Sequence, residues 1–66
     1  MIVILNDKRH EVAEGTTLAS FIDGLGIKPN GVAVAIYYEV IPKERWEDTV
    51  LYDGVEIMLI TAVSGG

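Results

Sequence analysis

The residues most suited to take part in a chemical reaction are the last three in the sequence, Ser64, Gly65 and Gly66. A glycine carboxylate has no Cβ beside it, so a narrow channel of a partner enzyme can admit it and attach a group to it. Fully extended, these residues span about 10 Å, enough to enter an active site while a folded body stays outside. We therefore expect residues 64–66 to form a flexible tail on a folded domain of residues 1–63.

The other polar residues do not combine into a catalytic or metal site. His10 is the single histidine, and without a cysteine or a second histidine it makes neither a zinc site nor a catalytic triad. The acidic residues around Trp46 are typical of solvated surface. Gly24, Gly26 and Gly31 do not form a phosphate-binding loop, because the first two fall at the end of a predicted helix and not between a strand and the start of a helix. We expect no catalytic residue, no metal and no cofactor bound by this chain.

The length and net charge of the chain exclude several classes of protein. A chain of 66 residues forms one small domain that buries only about 60% of its surface, which leaves no room for a substrate pocket with its supporting residues. The net charge of −5 has the wrong sign for binding nucleic acid. The sequence has no cysteine, and its apolar start at residues 2–5 is too short for a signal peptide or a membrane span. We expect a cytoplasmic domain that is not an enzyme.

The tail must be positioned by a folded body, whose hydrophobic pattern predicts one amphipathic helix. Its apolar stripe consists of Leu18, Phe21, Ile22 and Leu25. Thr16 or Thr17 is the expected N-cap, and the helix should end at Gly24 or Gly26. Pro29 and Gly31 then predict a loop over residues 27–31.

Strands are predicted on both sides of this helix. The predicted strands are residues 2–5, 10–13, 32–37, 39–41 and 55–63, with a further short strand at residues 49–52. Residues 43–46 suit a single helical or 3₁₀ turn with Trp46 as its apolar anchor in the core. One helix laid across one mixed sheet is the economical way to bury such a set of elements.

The last predicted strand has two different faces. One carries Val55, Ile57, Leu59, Thr61 and Val63. Glu56 marks the other face as facing solvent, which leaves Met58 and Ile60 exposed. With Ile2 or Ile4, Ala35 and Tyr37 on neighbouring strands, these side chains would form an apolar patch of the kind that binds a partner. The predicted interface contains Met58, Ile60, Ile4 and Tyr37.

Three segments of the chain resemble ThiS, the family of sulfur carrier proteins of thiamine biosynthesis. They are residues 33–46, 51–57 and 63–66, and the likeness extends from residue 1 to residue 66. The residues that match the family's pattern as they stand are Pro42, Trp46, Asp53, Gly54, Gly65 and Gly66. The sequence departs from the pattern at three positions that bear on partner specificity: Tyr37 replaces the usual Asn, Lys43 the usual Arg and Val55 the usual second Asp.

The resemblance implies an α+β fold, the ubiquitin-like β-grasp, with one helix packed across a mixed sheet of four to five strands. It also implies that a ThiF-like adenylating enzyme, using ATP and Mg²⁺, converts the Gly66 carboxylate into an acyl adenylate. Sulfur from a cysteine desulfurase persulfide then displaces AMP, leaving a thiocarboxylate, and thiazole synthase takes up that sulfur. Gly65 and Ser64 would be recognised as part of the tail, and the chain would be a co-substrate.

Two other readings stay open at this stage. The small subunit of molybdopterin synthase also ends in Gly-Gly on a β-grasp, but it is usually longer and carries a Pro-Pro pair where this chain has residues 61–63. A protein modifier of the ubiquitin type would instead join Gly66 to a target lysine through an amide. The fate of the Gly66 acyl group separates these readings.

Overall fold

Five strands, one α-helix and one 3₁₀ helix are found in residues 1–27 and 31–61, the part of the chain described by the computed structural model. In chain order they are β1 (Ile2–Leu5), β2 (Lys8–Glu11), α1 (Leu18–Gly24), β3 (Val32–Ile36), β4 (Glu39–Val40), the 3₁₀ helix (Lys43–Asp48) and β5 (Glu56–Thr61). The expectations for the loop at residues 28–30, for Val63 and for the tail Ser64, Gly65 and Gly66 concern positions outside the described residues.

The strands form one mixed sheet in the order β2-β1-β5-β3-β4. β1 and β5 run parallel, and the remaining neighbours pair antiparallel. The strand that comes last in the chain therefore lies in the middle of the sheet, with β1 on one side and β3 on the other. The predicted fold class, one helix across a mixed sheet, is confirmed.

α1 begins and ends where the sequence predicts. The Thr17 hydroxyl accepts a hydrogen bond from the Ser20 N–H at 3.1 Å, which makes Thr17 the N-cap. The helix ends at Gly24, and Gly26 follows with a φ of +76°, a conformation that glycine adopts without strain. The apolar stripe faces the sheet, with Leu18, Phe21 and Ile22 buried and Leu25 partly buried.

The core lies between α1 and one face of the sheet. Its largest fully buried side chains are Leu18, Ile22, Ile57, Val3, Val34 and Val55. Trp46 belongs to the same cluster, as predicted, and its indole N–H donates to the Ile41 carbonyl at 2.8 Å. The 3₁₀ helix that carries Trp46 extends to Asp48 instead of ending after a single turn at residue 46.

The first hairpin turns earlier than predicted. The return strand is Lys8–Glu11 instead of residues 10–13, because Asn6 and Asp7 form a two-residue turn with φ values of 48° and 70°. Such turns match the twist of paired strands, and Asn and Asp tolerate positive φ better than other side chains. The polar residues Lys8 and Arg9, assigned to the turn from their composition, belong to β2.

The second hairpin also differs from its prediction. β3 ends at Ile36 instead of Tyr37, and Tyr37 and Tyr38 form the turn with φ values of 50° and 68°. β4 comprises two residues instead of residues 39–41, although the Ile41 N–H still donates to the Val34 carbonyl at 2.8 Å. Bulky residues with positive φ carry a strain of roughly 1–2 kcal/mol each, so aromatic propensity misled the sequence analysis here.

The short strand predicted at residues 49–52 is reduced to an isolated bridge between Thr17 and Val50. The Leu18 N–H donates to the Thr49 carbonyl at 2.8 Å, and the Leu51 N–H donates to the Thr16 carbonyl at 2.9 Å. This segment therefore pairs with the start of α1 and not with the sheet. β5 is described as far as Thr61, within the predicted span of residues 55–63.

Candidate functional site

The outward face of the sheet, on the side away from α1, carries the predicted partner surface. Met58 is 40% exposed and Ile60 is 49% exposed, whereas Ile57, the residue before Met58, lies on the core side and is 1% exposed. The register places Ala35 beside Met58 and Ala33 beside Ile60 on β3. On the other side of β5, Ile4 lies beside Glu56. The two faces of β5 are therefore assigned as the sequence predicts.

Some members of the predicted patch occupy different places. Ala35 is only 4% exposed, so it lies beneath its neighbours and is not part of the exposed surface. Ile2 and Ile4 are partly buried. Val40, which pairs with Ala35 across the second hairpin, is exposed on the same face. The sequence analysis missed Val40 because its face depends on the position of the hairpin turn.

Tyr37 lies in the turn at the end of β3 and not on the strand beside Ala35. Its side chain is half-exposed, and its hydroxyl donates to the Gly54 carbonyl at a long distance of 3.4 Å. The pKa of Tyr52 is raised, mainly by desolvation of its hydroxyl. Charge repulsion from Tyr37 and a hydrogen bond with the Tyr37 side chain raise it further. Tyr37 thus lies at the end of β3 next to a second tyrosine, and its role as a contact residue stays a prediction.

Asn6 extends the pairing between β1 and β5 with its side chain. Its Oδ1 accepts from the Leu59 N–H at 3.0 Å, and its Nδ2 donates to the Leu59 carbonyl at 3.3 Å. β1 has already ended at Leu5, so the carboxamide takes the place of a further strand residue. It thereby fixes β5 two residues before Thr61, where the described part of the strand ends. Turn composition was the only sequence signal at Asn6.

The tail itself lies beyond the described residues, so its geometry is limited by chain length alone. Gly66 follows Thr61 by five residues. Five extended residues span at most about 17 Å, which bounds how far Gly66 can lie from the end of β5. Any protein that binds Gly66 must therefore come close to the middle strand of the sheet.

Comparison with known proteins agrees with the resemblance noted in the sequence. The sequence model of the ThiS family matches residues 3–66. The chain belongs to the ThiS family. It is 30% identical over 66 residues to the sulfur carrier protein ThiS of Escherichia coli (strain K12), and the match covers 100% of both chains.

A solved structure supports the same assignment. The crystal structure of the thiamine biosynthesis protein ThiS from Geobacter metallireducens superposes with a TM-score of 0.84 at 25% identity, covering 100% of each chain. The fold is therefore the ubiquitin-like β-grasp of ThiS. Of the three readings that the sequence left open, the sulfur carrier of thiamine biosynthesis is the one that these matches support. Membership of the ThiS family implies partner enzymes for activation and sulfur transfer.

Asp53 and Gly54, two of the residues that match the ThiS pattern, have a clear structural role. The Asp53 carboxylate accepts from the Ile2 N–H at 2.7 Å, and the Gly54 N–H donates to the Ile2 carbonyl at 2.7 Å. Gly54 has a φ of +84°, which favours glycine. This turn holds the start of β1 just before β5 begins. Asn6 and Asp53 therefore secure the pairing of β1 with β5 at its two ends.

His10 packs edge-on against Phe21, with ring centroids 5.6 Å apart, which is a structural role. Within residues 1–27 and 31–61, no group of three or more His, Cys, Asp or Glu side chains could hold a metal ion. No helix in that same part of the chain is long and apolar enough to cross a bilayer.

Proposed function

We propose that this chain carries sulfur on Gly66 as a protein co-substrate for thiazole formation in thiamine biosynthesis. The observation that carries the proposal is the extent of the family match, which reaches residue 66 and so includes Ser64, Gly65 and Gly66. The relative from E. coli that aligns over its full length is itself a sulfur carrier protein.

The proposed chemistry takes place on one acyl group. The Gly66 carboxylate attacks the α-phosphorus of ATP on a ThiF-like adenylating enzyme, releasing pyrophosphate and forming an acyl adenylate. A persulfide supplied through a cysteine desulfurase displaces AMP, and a thiol then cleaves the acyl disulfide to leave a thiocarboxylate. A carboxylate needs this activation because its oxygen is a poor leaving group, whereas a thiocarboxylate is a nucleophile that thiazole synthase can use.

In this proposal the chain supplies recognition, and the partners supply catalysis. ATP and Mg²⁺ are bound by the adenylating enzyme, in the cytoplasm where ATP is available, and this chain binds no cofactor of its own. Gly65 and Ser64 pass through a narrow channel in which a side chain at residue 65 would obstruct the approach. The body is held through the outward face, where Met58 and Ile60 are exposed and Ile4 is partly buried, together with the exposed Tyr37 in the turn after β3.

Deletion of Gly66 tests the first step. We expect the deletion to abolish adenylation, measured as ATP-dependent pyrophosphate release with a ThiF-like enzyme, because the carboxylate then ends one residue short of the reactive position. The melting temperature should stay close to that of the full chain, because the described core is built from side chains within residues 1–59. Retained adenylation, or a large fall in melting temperature, would contradict the proposal.

A further inference from the structure

The outward face contains a groove to which the proposed function assigns no role. It has a volume of about 390 Å³ and is lined by Ile4, Asp7, Tyr38, Glu56 and Met58, among others. This volume lies at the lower end of the range for small-molecule pockets, roughly 300–1,000 Å³, and suits an inserted side chain. The groove adjoins Met58, so it is continuous with the proposed partner surface.

The groove combines apolar side chains with an aromatic wall. Ile4 and Glu56 are paired across β1 and β5, and Met58 is the next residue of β5 on the same face. Tyr38 is 87% exposed and lies in the strained turn between β3 and β4. A left-handed turn ordinarily takes Asn or Gly, so a tyrosine there places an aromatic ring beside the sheet at a conformational cost.

The charge of the groove has one sign. Asp7 and Glu56 are exposed, and in residues 1–27 and 31–61 neither carboxylate forms a hydrogen bond or an ion pair. Arg9 shares the outward face, but it pairs with Ile4 from β2 and so lies two strands, about 10 Å, from Glu56. A second groove between α1 and the 3₁₀ helix differs, because its lining includes Lys43 together with acidic residues.

We propose that the groove binds an arginine side chain presented by the partner protein. The aliphatic part of arginine would lie against Ile4 and Met58, and the planar guanidinium would face the carboxylates of Asp7 and Glu56. The ring of Tyr38 can stack on the same guanidinium plane, which an ammonium group does not offer. This inference rests on the proposed function only in that the partner is taken to be the adenylating enzyme.

The direct test uses the full chain and a small probe. Nα-acetyl-arginine amide is titrated into the ¹⁵N-labelled protein, with Nα-acetyl-citrulline amide as the neutral control of the same shape. We expect the arginine compound to shift the backbone amides of Asp7, Tyr38, Glu56 and Met58, and the citrulline compound to leave them unchanged. Equal shifts with both compounds, or shifts spread evenly over the surface, would overturn the proposal.

Matched variants distinguish binding of arginine in the groove from non-specific attraction of a cation to an acidic protein. Glu56→Gln should weaken arginine binding at least threefold, whereas Glu14→Gln, which removes the same charge at an exposed site away from the groove, should not. Tyr38→Asn removes the ring and replaces it with a residue that tolerates the turn, so weaker binding cannot be attributed to misfolding. Equal losses in the two Glu variants, or no loss in either, would overturn the assignment.

The same variants are then compared against the adenylating enzyme. Glu56→Gln should raise the dissociation constant about tenfold relative to Glu14→Gln, and the difference should shrink between about 50 mM and about 500 mM NaCl. Equal dissociation constants would overturn the partner assignment. The arginine titration involves neither Gly66 nor ATP. A negative titration therefore does not contradict the sulfur carrier proposal, and a failure of Gly66 activation does not contradict arginine binding in the groove.

Discussion

Trp46 combines apolar packing with a satisfied polar group. Its indole lies in the core cluster beside α1, and its N–H has a carbonyl partner in Ile41. Pro42 stands just before the 3₁₀ helix with a φ of −59°, which suits the fixed ring of proline. The spacing from Pro42 to Trp46 thus places the ring over the core within one short turn. Pro42 and Trp46, which match the ThiS family pattern, therefore have a role in packing the core.

Replacement of Trp46 tests this packing at the level of one residue. Trp46→Ala should cost about 3–5 kcal/mol of unfolding free energy, because it leaves a cavity in a small core and frees the Ile41 carbonyl. Trp46→Phe keeps most of the apolar volume and should cost less. Both values come from urea denaturation followed by far-UV circular dichroism. A loss below about 1 kcal/mol for the alanine variant would contradict a core role.

The elements follow from the sequence to different degrees. Residue alternation separates Val55 and Ile57 from Met58 and Ile60, since burial of one face strongly specifies strand register. The helix follows from its stripe and from the cap at Thr17. The hairpin ends could not be predicted, because Tyr37 and Tyr38 have high strand propensity yet are placed in a turn by the pairing of β3 with β4. Pairing partners distant in sequence decide such boundaries.

Asn6 shows the same limit for side chains. Its contact with Leu59 joins residues separated by 53 positions, so no local pattern could indicate it. It matters because the described end of β5, at Thr61, lies only two residues further on. The tail stays a prediction from the sequence, and the way in which the fold holds the strand before it could not be predicted.

Substitution of Asn6 tests this anchoring at the level of the element. Asn6→Gly keeps a residue suited to the positive φ but removes both hydrogen bonds to Leu59, which should cost about 1–3 kcal/mol. Hydrogen exchange of the Leu59 amide should become at least tenfold faster. Asp7→Gly is the matched control in the same turn, and it should leave that amide protected. Similar exchange in the two variants would show that the turn, and not the carboxamide, fixes β5.

In the whole molecule, one side of the sheet is buried in the core and the other is exposed. α1 and the core cover one side. The other side exposes Met58 and Ile60 on β5, the strand from whose described end Gly66 is five residues away. An enzyme that binds Gly66 must approach this strand, and Met58 and Ile60 are exposed on it. We therefore treat the face and the tail as one recognition unit.

A charge placed on the outward face tests that unit. Ile60→Glu should weaken binding to the adenylating enzyme by about 2 kcal/mol or more, as expected for a central interface residue. Its melting temperature should change little, because the position is exposed. Val50→Glu adds the same charge at an exposed apolar site near the start of α1, and it should bind normally. Calorimetry and thermal denaturation measure both effects. Equal weakening by the two variants would contradict the assigned surface.

The mass of the intact chain tests the central claim most directly. The protein is incubated with a ThiF-like adenylating enzyme, ATP, Mg²⁺, a cysteine desulfurase, cysteine and a thiol reductant, and then analysed by mass spectrometry. The sulfur carrier account predicts a gain of about 16 Da, located at Gly66 by fragmentation, because sulfur replaces one carboxylate oxygen. An unchanged mass, or an amide bond between Gly66 and a lysine of another protein, would contradict it.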